Sequence, residues 1–60
     1  MFQCDVEIYG GPDDGFAYTM IRRKKPAIGL RRVNGGQFYR LVEFRNGTAI
    51  FKYVGRIQRS

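Results

Sequence analysis

The side chains able to do chemistry in this 60-residue chain are mostly cationic: eleven Lys and Arg stand against five Asp and Glu, for a formal net charge of +6. Arg22-Arg23-Lys24-Lys25 form one run, Arg31 and Arg32 a second, and Arg40, Arg45, Lys52, Arg56 and Arg59 follow at wider intervals. Arginine outnumbers lysine, and its planar, forked guanidinium suits phosphate or carboxylate better than simple solubilisation requires. The distribution is one-sided. Residues 1–20 hold Asp5, Glu7, Asp13 and Asp14 and no cation, whereas residues 21–60 hold every Lys and Arg and only Glu43. Such segregation points to a polyanionic partner. Clustered cations bind phosphates by releasing condensed counterions, which makes nucleic acid the leading partner and an acidic protein surface the alternative. The bland reading of the same run is a solvated loop that keeps a small β protein from aggregating.

Other chemistries find little material. There is no histidine, Cys4 is the lone cysteine and Ser60 the only serine, so the usual nucleophilic and zinc devices are missing. Cys4 lies among Phe2, Val6 and Ile8, where a thiol acts as a small hydrophobe. Asp13 and Asp14, with Asp5 and Glu7 upstream, suggest a divalent cation, but the spacing of a calcium loop is absent. A turn in which the Asp side chains bond the backbone accounts for them more simply, and an acidic lip paired with the chain's own basic loop is a further option. Neither catalysis nor a cofactor is expected.

The elements that must position the cations are strands. Alanine occurs three times and glycine eight, while aromatic and β-branched residues are frequent, a composition that favours strands and turns. Strict alternation from Phe2 to Tyr9 predicts a half-buried strand. Gly10-Gly11-Pro12-Asp13-Asp14-Gly15 is a turn, followed by a short strand over 16–20 and a basic loop over 22–26. A third strand is expected over 27–33, with a bulge at Arg31-Arg32, and Asn34-Gly35-Gly36 turns into a fourth. Strands over 37–45 and 48–57 flank Asn46-Gly47, the strongest short hairpin signal. That hairpin's register places Phe38, Val42, Phe44, Ala49, Phe51 and Tyr53 on one face, read as core. The opposite face carries Tyr39, Leu41, Ile50 and Val54 among charges.

The Gly10–Gly15 segment, together with Tyr39-Arg40 and Tyr53-Val54-Gly55, resembles a loose group of very short proteins of bacteriophages and some bacteria that share a Gly-Gly-Pro-x-Asp-Gly turn. No activity attaches to that group. The resemblance implies a phage-type or mobile-element product of the kind that binds a host component, and the basic segment from Arg22 to Arg32 is not a feature of the group.

These observations predict one all-β domain spanning residues 1–60, a five-stranded antiparallel meander curling into a partly closed SH3-like or reduced OB-like barrel. With no signal peptide or membrane span in view, a cytoplasmic protein is expected, monomeric or weakly dimeric. Its expected function is non-enzymatic binding of nucleic acid with little sequence specificity. Arg22, Arg23, Lys24, Lys25, Arg31 and Arg32 are the primary phosphate contacts, Arg45, Lys52 and Arg56 secondary ones, and Tyr39 a stacking group. The alternative is a module docking on an acidic host-protein surface through the same cations, anchored by Tyr39, Leu41, Ile50 and Val54.

Overall fold

A computed structural model describes residues 1–56 of the chain, all of it strand, turn and loop without helix. Five strands form one sheet: β1 Phe2–Tyr9, β2 Ala17–Arg22, β3 Arg31–Asn34, β4 Gln37–Arg45 and β5 Thr48–Arg56. The expected end of the last strand at Ile57, and Arg59 beyond it, lie outside the described residues.

The sheet order is β2-β1-β5-β4-β3, and it curls into a half-barrel. This corrects the purely antiparallel meander. β1 runs parallel to β5, pairing Val6 with Ala49 and Ile8 with Phe51, while the other three pairings are antiparallel. Parallel pairing in the centre brings the most apolar parts of the two strands side by side. β2 and β3 become the sheet edges, joined by a connection in which Pro26 is buried and Ala27–Leu30 close a turn with Gly29 at φ 99°. That turn is why the third strand begins at Arg31 and not at Ala27. β2 in turn continues through Ile21 and Arg22, which pair with Gln3 and Phe2, so Arg22 belongs to a strand and not to the basic loop.

The β4–β5 hairpin starts as expected, with Asn46 at φ 52° and Gly47 at φ 80° and Arg45 opposite Thr48. Consecutive positive φ values are what this tight turn requires, and Asn-Gly is the pair best able to adopt them. Beyond Glu43–Ile50 the register shifts: Leu41 faces Phe51 and Arg40 faces Lys52, leaving Val42 as an extra residue. A second shift sets Val54 apart between the Tyr39–Tyr53 and Phe38–Gly55 pairs. Each bulge exchanges the two faces of its strand. The expected core of Phe38, Val42, Phe44, Ala49, Phe51 and Tyr53 is thereby corrected. Tyr39 and Leu41 turn inward with Ala49 and Phe51, joining Cys4, Val6, Ile8 and Met20, while Phe44 and Tyr53 pack at the margin. No bulge falls at Arg31-Arg32. The irregularity in that strand lies earlier, where the Leu41 N–H donates to the Leu30 carbonyl but its own carbonyl accepts from the Gly29 N–H.

Candidate functional site

One end of the half-barrel is built around the Gly10–Gly15 turn. Asp14 accepts a hydrogen bond from the Gly10 N–H, and the Gly15 N–H donates to the Ile8 carbonyl at 2.8 Å. Gly11 packs closely against the Tyr53 ring, and the Tyr53 hydroxyl donates to Gln37 at 2.6 Å. Asp13 accepts from the buried Tyr39 hydroxyl at 2.8 Å and from the Asn34 amide at 3.2 Å. Three separated pieces of sequence thus converge on one structural assembly. The carboxylate that suggested a metal is occupied as an acceptor, and no group of three or more His, Cys, Asp or Glu among the described residues could hold an ion. Nor does this acidic lip pair with the basic loop: the only ion pair among the described residues is Arg45–Glu43, at 3.1 Å.

Tyr39 is therefore a core residue that fastens the turn, and not the stacking group expected of it. Burial first, and the hydrogen bond to Asp13 second, push its hydroxyl above the ordinary tyrosine value; burial does the same for Tyr18. A pKa raised on folding stabilises the protein fully below the unfolded value of about 10, and the contribution fades as pH rises through the folded value. Thermal midpoints followed by circular dichroism should accordingly hold steady up to about pH 9 and then fall. A Tyr39→Phe variant should melt roughly 4–8 °C lower at neutral pH, through loss of the hydrogen bond to Asp13, and show a shallower alkaline decline.

The expected cations divide into groups that do not meet. Arg22, Arg23, Lys24 and Lys25 line an open concavity with Ile21 and Pro26. It lies at the Phe2 end of β1, since Arg22 pairs with Phe2. Lys25 is drawn onto the Phe44 ring, 4.6 Å from its centroid, and Phe44 meets Phe2 edge-on. Arg32 turns inward over Tyr18, at 4.4 Å, and fastens edge strand β3 to edge strand β2 where no backbone bonds join them. Its Nε and the Tyr18 hydroxyl are buried without hydrogen-bond partners among the described residues. Arg45 is engaged with Glu43, and Arg56 lies at the end of β5 opposite Gln37.

Arg31 takes the other face, and there the bulge at Val42 has its main consequence. Arg31 pairs with Arg40, Arg40 with Lys52 and Lys52 with Tyr9. Their neighbours along the strands, Ile8, Tyr39, Leu41 and Phe51, are buried, and Arg32 turns inward, so all four project from the convex face, and all four are exposed. Three cations stand in one cross-strand row on neighbouring strands, spaced about 4.8 Å apart as strand geometry dictates. Arg40, which the uninterrupted register had set among core positions, is the centre of this row. On one side the next row is acidic, with Glu7 and Glu43 flanking Ile50. On the other side lie Val33, Phe38 and Val54, and the Arg31 guanidinium stands 5.5 Å from the Phe38 ring centroid.

The face expected to anchor a protein partner does not exist as drawn. Tyr39, Leu41 and Ile50 are buried, and of that set only Val54 is exposed, at 55%. Ile50 is buried on the outer side, between Glu7 and Glu43. Neither a protein-family model, nor a curated protein, nor a solved structure matches the chain.

Proposed function

We propose that this protein is a small non-enzymatic module that binds nucleic acid by its phosphate backbone, with little sequence specificity, through the Arg31–Arg40–Lys52 row. The row itself is the observation that carries this reading. Like charges directly opposite one another in a sheet each cost about 0.2–1 kcal/mol. A domain of this size has only about 3–5 kcal/mol of stability to set against them. Protection of a sheet edge explains Arg31 on β3, but β4 is interior and β5 is the central strand of the order. A polyanion lying along the row turns that repulsion into attraction.

Arg22, Arg23 and Lys24 form a second cationic group at the far end of the sheet, which adds less to binding than the row does. Docking on an acidic protein surface would use the same charges, but three of its four apolar anchors are buried, Tyr39 and Leu41 in the interior and Ile50 between Glu7 and Glu43. A reducing, cytoplasmic setting suits the free and buried Cys4.

Fluorescence anisotropy with a labelled 20-nucleotide oligomer tests the reading. Binding should be evident at low salt, independent of base sequence, and lost progressively as salt rises. No binding at low salt overturns it.

A further inference from the structure

The surroundings of the cation row are asymmetric, and the asymmetry selects among nucleic acids. Glu7 and Glu43 border the row on one side and repel phosphate. Val33 and Val54 border it on the other, 56% and 55% exposed, with the Phe38 ring between their strands. Tyr9, 41% exposed, closes the row at its β1 end, with its hydroxyl donating to Glu7.

A ligand matched to this surface is anionic along one edge and flat and apolar along the other. A duplex presents phosphates outward and keeps the faces of its bases stacked inside, so it would leave Val33, Val54 and Tyr9 uncovered. A single strand has both properties at once. Its phosphates neutralise Arg31, Arg40 and Lys52, and its unstacked bases cover the apolar border. Resting on the reading above, we infer that the convex face is a platform for single-stranded nucleic acid. The strand crosses β3, β4 and β5, its bases lie toward Phe38 and Val54, and one base stacks on Tyr9.

Anisotropy with a 12-nucleotide single strand and the matching 12-base-pair duplex, at equal low salt, tests this. The single strand should bind at least tenfold more tightly. Tyr9→Ala should weaken single-strand binding about five- to tenfold, in line with the stacking contribution per base. Its salt slope should be unchanged, because no cation is removed. Val54→Ser, at an exposed position, should act in the same direction and leave duplex affinity alone. Circular dichroism melting of each variant confirms that the fold is kept. Equal or tighter duplex binding, or variants bound like the parent, overturns the single-strand platform while the phosphate-backbone reading stands. Absence of binding to both overturns the two together.

Discussion

Replacing Gly11 with alanine should leave the protein largely unfolded at 37 °C. Gly11 has φ +71°, and a Cβ built there falls 2.4 Å from a Tyr53 ring carbon and 2.5 Å from its neighbour. The ring cannot step aside cheaply, since its hydroxyl is held by Gln37 and its face meets Tyr39 at a centroid distance of 5.5 Å. The left-handed backbone costs an L side chain about 1–2 kcal/mol, and overpacking adds about 1–3 kcal/mol. The sum rivals the roughly 3–5 kcal/mol that a domain of this size possesses. Gly15→Ala is the matched control: φ is +85°, yet nothing lies within 4 Å of the added carbon. It should cost only the backbone term of about 1–2 kcal/mol and melt cooperatively at a lower temperature. Thermal and urea melts of the two variants check the pair. Similar losses for both would contradict the packing of the turn on Tyr53.

Reversing the centre of the cation row should have the opposite effects on binding and stability. In an Arg40→Glu variant the new carboxylate faces Arg31 on one side and Lys52 on the other. Two like-charge pairs become opposite-charge pairs, each worth about 0.2–1 kcal/mol, so the variant should melt higher than the parent. Its affinity for oligonucleotide should fall about a hundredfold or more, because a like charge set against phosphate costs several kcal/mol. Lys52→Glu should behave likewise. Gain of stability with loss of binding separates this prediction from ordinary damage, in which both fall together. A variant that melts lower, or binds as the parent does, would contradict the role assigned to the row.

How far these features could be read in the sequence depended on whether local pattern determined them. Alternation over Phe2–Tyr9 and the Asn46-Gly47 turn are local, and both elements form as read. The parallel β1–β5 pairing joins segments about forty residues apart, and no short pattern encodes it. The bulge at Val42 decided the site. Counting outward from the turn keeps Val42 and Phe44 in phase, and that count places Arg40 among core positions. A charge in that place was a warning that the register breaks. So was Ala49-Ile50-Phe51, three consecutive apolar residues that alternation alone cannot accommodate and that are all buried. Once the phase changes, Tyr39 and Leu41 go inside and Arg40 joins Lys52 outside. Arg31 and Arg32 could not be assigned to faces from sequence, because adjacent cations satisfy either phase; the Arg32–Tyr18 contact across the open seam fixes them. The basic run over 22–25 was the most conspicuous sequence feature, yet it lies at the far end of β1 from the row, with Lys25 engaged by Phe44.

The most direct measurement of the central claim is the salt dependence of single-strand binding for three proteins. These are the parent, a row variant (Arg31, Arg40 and Lys52 to Gln) and a loop variant (Arg22, Arg23 and Lys24 to Gln). Each phosphate neutralised on a single strand contributes about −0.7 to the slope of log K against log salt, so the three row cations account for about −2. The row variant should lose that amount of slope and most of its low-salt affinity, while the loop variant keeps the greater part of both. A row variant with the parent's slope, beside a loop variant that no longer binds, would contradict the account and move the interface to the other end of the sheet.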